Sequence, residues 1–176
     1  MNDEKKPLTL SEAIETALEY EHNVRDLYID ASERASEEVG TRIFNRLAKE
    51  EQGHVTYLQA RQKEWESTGK VNLVPIGTLL PTRERLADGL TTLESKMETY
   101  DWTLEIELLK KARAAEAETG AFYKRMVAEL DEEGRNLFRE FLEIEDAHYD
   151  LVQLQLEALE GGGFSFDCME FSLEGA

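Results

Sequence analysis

Proline placement sets the first limit on this chain. Its three prolines are Pro7, Pro75 and Pro81, so Leu8 to Val74 and everything after Pro81 can carry uninterrupted helical hydrogen bonding. Apolar residues recur at helical spacing through both stretches, which predicts an all-α chain of long helices. Thr9 and Glu12 form a capping-box signature ahead of Leu10, Ile14, Ala17, Leu18, Val24 and Tyr28. A break follows near Ser36. That serine can cap a second helix, with Glu37 and Glu38 in a first turn where the helix dipole favours acids. The second helix carries Ile43, Phe44, Leu47, Val55 and Leu58, and fades at Ser67-Thr68-Gly69, where glycine suits a C-terminal cap. Asp101 or Thr103 can start a third helix holding Leu104, Leu108, Leu109, Ala112, Ala115 and Tyr123. Asp131 can start a fourth holding Leu137, Phe138, Phe141, Leu142, Val152 and Leu156, ended by Gly161-Gly162-Gly163.

These segments predict a four-helix bundle over residues 1–163, made of hairpins at about 9–68 and 101–160. Short turns make the helices of each hairpin antiparallel neighbours. A helix of about 28 residues is about 42 Å long at 1.5 Å per residue. The connector over residues 69–100 is long enough to run that length, so one crossover between helices two and three is expected, with a short helix around Leu90 to Met97. The tail, 164–176, carries Phe164, Phe166, Phe171 and Leu173, which are expected to pack on the bundle or across a homodimer.

The chemistry lies in the polar residues that interrupt the apolar stripes. Glu21 follows Ala17 and Leu18, with Tyr28 seven residues on, nearly two turns and so on the same face. Glu51 follows Leu47 and Ala48, with His54 three residues later. Glu116 follows Leu109 and Ala112, again with a tyrosine, Tyr123, seven residues on. Glu145 follows Phe138 and Phe141, with His148 three residues later. The pattern is Glu-x6-Tyr, then Glu-x-x-His, then both again, an internal repeat of one helical hairpin. A pseudo-twofold between the hairpins would bring four glutamates and two histidines to one point.

Four ionised carboxylates in an apolar core are not tolerated alone. Two divalent cations supply the four positive charges that neutralise them, and mixed imidazole and carboxylate donors suit iron or manganese better than a closed zinc site. A single Glu-x-x-His pair is weak evidence, since most such pairs are surface contacts. The combination is specific, because two of the chain's three histidines stand in it, one per half. Tyr28 and Tyr123 could hydrogen-bond a ligating carboxylate, or be core aromatics reaching another buried acceptor. His22 is turned about 100° from Glu21 by the helix and is expected to be an ordinary exposed histidine, and Glu19 and Glu118 to be solvated.

The residues Glu21-x6-Tyr28, Glu51-Gln52-Gly53-His54, Glu116-x6-Tyr123 and Glu145-Asp146-Ala147-His148 resemble the rubrerythrin family of the ferritin-like superfamily, over about residues 9–160. The resemblance implies two Fe ions, with manganese or a mixed pair as the alternative. It implies that Glu51 and Glu145 bridge them, that Glu21 and His54 complete one ion, and that Glu116 and His148 complete the other. Rubrerythrins reduce hydrogen peroxide at such a site, and relatives oxidise Fe(II). Two features depart from the family. Cys168 is the single cysteine, where a rubredoxin domain has four, so an external electron-donor protein is implied. Thr119 stands where typical rubrerythrins have an additional glutamate, which leaves the plainer, symmetric four-Glu, two-His type.

The leading expectation is therefore a di-iron oxidoreductase reducing peroxide or O2. A ferroxidase or iron-storage protein is the second reading, and a metal-stabilised structural bundle the third. The formal net charge of −18 disfavours nucleic acid and anionic membranes as partners. No apolar run is long enough to span a bilayer, and Met1 to Pro7 lacks the apolar core of a signal peptide, so a cytoplasmic protein is expected. Cys168 has no basic neighbours to lower its pKa and is expected to be inert.

Overall fold

A computed structural model describes residues 8–36, 38–78 and 101–160. Within them lie four helices: α1 (Leu10–Arg34), α2 (Glu38–Thr68), α3 (Thr103–Glu129) and α4 (Glu132–Glu160). There is no strand among the described residues, and the fold is an all-α four-helix bundle. No helix among them is long and apolar enough to cross a membrane. The expected helix near Leu90 to Met97, Glu37, the three glycines after α4, Cys168 and the tail lie outside the described residues.

The helix ends follow from local chemistry. At α1 the capping box is complete: the Glu12 N–H donates to Thr9 Oγ1 at 3.3 Å, and the Thr9 N–H donates to Glu12 Oε2 at 2.8 Å. α2 ends where Gly69 turns into the left-handed region at φ +66°, its N–H bonded to the Trp65 carbonyl at 2.8 Å. Asp131 caps α4, accepting from the Gly134 N–H at 3.0 Å. A side chain at Gly134 would bring its Cβ within 2.9 Å of Leu130, so this two-residue turn requires the glycine. At α3 the flanking residue is Trp102, which offers no capping side chain. Asp101, one residue further out, instead accepts from the Thr103 N–H at 3.1 Å and from its hydroxyl at 2.6 Å.

Hydrogen bonds between segments fix the topology. The Val71 N–H, just past α2, donates to Glu133 at the start of α4 (2.7 Å). At the other end, the N–H and hydroxyl of Ser36 in the α1–α2 turn both donate to Glu105 Oε1 at the start of α3, at 2.8 and 2.7 Å. The chain therefore leaves α2 at one end of the bundle and enters α3 at the other, which makes the connection a crossover. Its first residues already climb along α4 and α2: the Ile76 N–H reaches Glu140, and the Thr78 hydroxyl reaches Glu50.

The core is two apolar plugs. One gathers Val24, Ile43, Phe44, Leu47, Leu108, Leu109, Leu151 and Val152. The other gathers Leu10, Ile14, Leu58, Phe122, Met126, Leu137, Phe138 and Phe141. Each fully buried side chain of this size contributes about 1.5–3 kcal/mol. Between the plugs lies a polar layer, and the plugs hold it in place.

Candidate metal centre

The polar layer is the predicted constellation. Glu21 from α1, Glu51 and His54 from α2, Glu116 from α3, and Glu145 and His148 from α4 are all 0–1 % exposed. Each sits where an inward apolar residue would stand, so the packing that seats the stripes also turns six polar groups onto one another. Glu21, Glu51, His54 and Glu145 each bring one donor atom within 4.8 Å of the others, and Glu51, Glu116 and His148 do the same. Glu51 belongs to both groups. Both groups, and a third formed by Glu50, His54 and His148, could hold a metal ion.

The internal contacts show how the donors are aimed. His54 Nδ1 is 3.0 Å from Glu21 Oε2, 3.1 Å from Glu51 Oε2 and 3.7 Å from Glu145 Oε1. His148 Nδ1 is 2.8 Å from Glu51 Oε1 and 3.9 Å from Glu116 Oε1. The 2.8 Å pair is not aligned as a hydrogen bond, so both atoms have a short contact and no satisfied bond. The imidazoles stack with centroids 5.4 Å apart and planes at 15°.

The tyrosine hydroxyls both reach glutamates of the layer, in a crossed arrangement. Tyr28 on α1 donates its hydroxyl to Glu116 on α3, and Tyr123 on α3 donates to Glu21 on α1. Burial first, and then the facing glutamate, push both hydroxyls well above their usual range, so they stay protonated and donate.

Several donors in the layer are unmatched. Glu51 Oε1, Glu116 Oε2, both oxygens of Glu145, and Nδ1 of His148 are buried without a hydrogen-bond partner among the described residues. Buried polar atoms are rarely left so, and a cluster of them facing one another calls for a shared positive partner. The donor set fits that partner: oxygen and imidazole nitrogen, with four carboxylate charges to neutralise.

The four carboxyls differ in how firmly they hold a proton. Burial raises Glu21 to about 7, against the lowering effect of His54. Burial and then the charges of Glu21 and Glu116 raise Glu145 well above the usual range. Burial raises Glu116 too, opposed by His148. Burial would also raise Glu51, but the adjoining His148 and His54 outweigh it and hold this carboxyl well below its usual range. Burial lowers both histidines, and their carboxylate neighbours more than offset it, so both are raised. A metal ion held here would therefore compete with protons for the same donors.

Other sequence expectations divide. Glu19 and Glu118 are exposed. His22 is half-buried rather than exposed, and it enters neither group of donors. Thr119 is buried, and its hydroxyl donates to the Ala115 carbonyl at 3.0 Å. Two buried glutamates were not singled out by the motif: Glu50 and Glu105. Both were readable in principle. Glu105 lies three turns before Glu116 on the stripe of Leu108, Leu109 and Ala112, and Glu50 lies one turn before His54. Scans against protein-family models, curated proteins and solved structures find no match to this chain.

Proposed function

We propose that this chain is a di-iron carboxylate oxidoreductase of the rubrerythrin type within the ferritin-like superfamily, reducing hydrogen peroxide or O2 with electrons from an external donor protein. The observation that carries the reading is the buried cage of four carboxylates and two imidazoles from four helices, with unsatisfied donors among those of α2, α3 and α4. A Glu from each of two helices with Glu-x-x-His from the other two is the arrangement known for di-iron and di-manganese carboxylate sites. Iron is preferred over zinc because the donor set is oxygen-rich and mixed. Two Fe(II) ions held by these residues would supply two electrons in one place, the number needed to convert hydrogen peroxide and two protons to two waters.

The chain's own residues set the conditions. Glu21, Glu51, Glu116 and Glu145 would hold the ions with His54 and His148. Tyr28 and Tyr123 fix the orientation of Glu116 and Glu21 across the bundle. With the six groups 0–1 % exposed between two apolar plugs, a reactant must be small and gains by being uncharged, which supports peroxide or O2 over larger substrates. Thr119 adds no carboxylate, which supports the symmetric type of site.

The test is metal content and oxidant turnover. Protein purified without chelator or histidine tag is expected to hold about two irons per chain. The Fe(II) form is expected to oxidise on adding peroxide and to return on reduction, followed by near-ultraviolet absorbance. Only trace metal in every preparation, or wild-type metal content in Glu51→Ala and His148→Ala proteins, would overturn it. Loading far beyond two irons per chain would move the protein to iron storage.

A further inference from the structure

Glu50 stands beside the centre but outside the repeated motif. It is 6 % exposed, and one of its oxygens lies within 4.8 Å of a ring nitrogen of both His54 and His148. It precedes His54 by four residues, so the two share a helix face. Its Oε2 accepts from the Thr78 hydroxyl at 3.1 Å, which ties the carboxylate to the crossover connector.

The histidines have a matching need. Nδ1 of each ring is the atom that faces the carboxylates of the cage. A neutral imidazole that offers Nδ1 to a metal carries its proton on Nε2. Both Nε2 atoms are buried, with no hydrogen-bond partner among the described residues. A buried N–H of a metal-bound histidine is usually held by a carboxylate or carbonyl, which sets the tautomer and the ring angle. The two rings are stacked 5.4 Å apart, so a single carboxylate can serve both. A carboxylate has room for about four hydrogen bonds, enough for two imidazoles and Thr78.

We infer that Glu50 is a positioning residue shared by both metal-binding histidines: it accepts the Nε2 protons of His54 and His148 when their Nδ1 atoms bind metal, and Thr78 anchors it. A carboxylate whose oxygen lies within 4.8 Å of a nitrogen of each ring reaches an imidazole N–H by rotation or through one water. The hairpins differ here. The position before Glu145 that corresponds to Glu50 is Ile144, so the second hairpin supplies no such carboxylate. This inference rests on the metal reading above.

The test is cobalt(II) titration of the full chain, with nitrogen-15 NMR of the histidine rings in the zinc-loaded form. Glu50→Ile copies the second hairpin, and Glu50→Gln keeps the size if that variant fails to fold. Both are expected to bind cobalt about 10–100-fold more weakly, the range for loss of a partner behind a metal ligand. They are also expected to shift or lose the Nε2–H signals of both histidines. Thr78→Ala is expected to do the same more weakly. Wild-type cobalt affinity in the Glu50 variants, or weaker binding with both Nε2–H signals unchanged, would overturn the inference. A wild-type chain that binds no cobalt would overturn the metal reading together with it.

Discussion

The two ends of the bundle are related by the repeat, yet they are built differently. Residues 95 apart in α1 and α3, and 94 apart in α2 and α4, occupy matching places: Glu21 and Glu116, Tyr28 and Tyr123, Glu51 and Glu145, His54 and His148. Away from that layer the match loosens. Phe141 corresponds to Leu47, and Phe122 to Leu27, so one plug is aromatic and the other largely aliphatic. The aromatic plug reaches the centre directly: Phe141 meets His54 edge-on at 5.6 Å and stacks on Tyr123 at 5.0 Å. Glu105 corresponds to Leu10, and it binds the α1–α2 turn, which has no counterpart need at the other end. Packing accepts any side chains of suitable volume and shape. Six buried polar groups that must face one another do not have that freedom. The layer that keeps the repeat is the one whose residues meet at the middle of the bundle.

That contrast can be broken most severely at Glu51. It lies in both donor groups, whereas Glu116 lies in one. Glu51→Ala is expected to leave only trace metal, and Glu116→Ala about one ion per chain, measured by mass spectrometry after dialysis. Equal losses in the two variants would show that the ions are held as a single unit.

Metal removal comes next. Each ion bound at a hundred times its dissociation constant stabilises the fold by about 2.7 kcal/mol. For a chain of this size each kcal/mol is about 2–4 °C of melting temperature. Chelation should therefore lower the midpoint by about 10 °C or more, reversibly. The drop should grow with pH. Glu21, Glu116, Glu145 and both histidines have raised pKa values, so their protonated forms stabilise the metal-free fold at low pH. That stability is lost as pH climbs from the ordinary carboxylate range through about 7, the value for Glu21. Glu51 acts oppositely, since its lowered pKa contributes stability only above the carboxylate range. Five raised groups outweigh one, and the melting temperature of chelated protein should fall between pH 5 and 8. A flat or rising profile would contradict this.

A smaller effect tests the asymmetric end. Glu105→Ala removes the acceptor of two Ser36 donors and should cost about 1–3 kcal/mol in chemical denaturation, with metal content unchanged. The smallest effect tests the symmetric layer. Tyr28→Phe and Tyr123→Phe each remove one hydrogen bond to a glutamate, worth about tenfold in cobalt affinity. The repeat predicts equal losses, and a large difference between them would mean that the two ion positions are unequal.

Much of this was legible in the residues, and the reasons differ by feature. The capping box at Thr9, the glycine after Thr68 and the aspartate before α4 are local, because each satisfies backbone groups within four residues. The six donors were legible because a helix converts sequence spacing into a face, and the spacing was repeated. Glu50 and Glu105 were not singled out, because a buried glutamate on a stripe looks like any other acid until its partner is known. Those partners, Thr78 and Ser36, are 28 and 69 residues away.

The sequence alone determined four helices, their pairing into two hairpins and the identity of the donors facing inward, since all three follow from periodicity and short-range hydrogen bonding. Only the tertiary structure decided that each tyrosine serves the other hairpin's glutamate, that Glu51 enters both donor groups while Glu145 enters one, and that one end of the bundle is closed by Glu105. These depend on how far one helix slides and turns against another. That is settled by packing of the two plugs, which no single stretch of sequence contains.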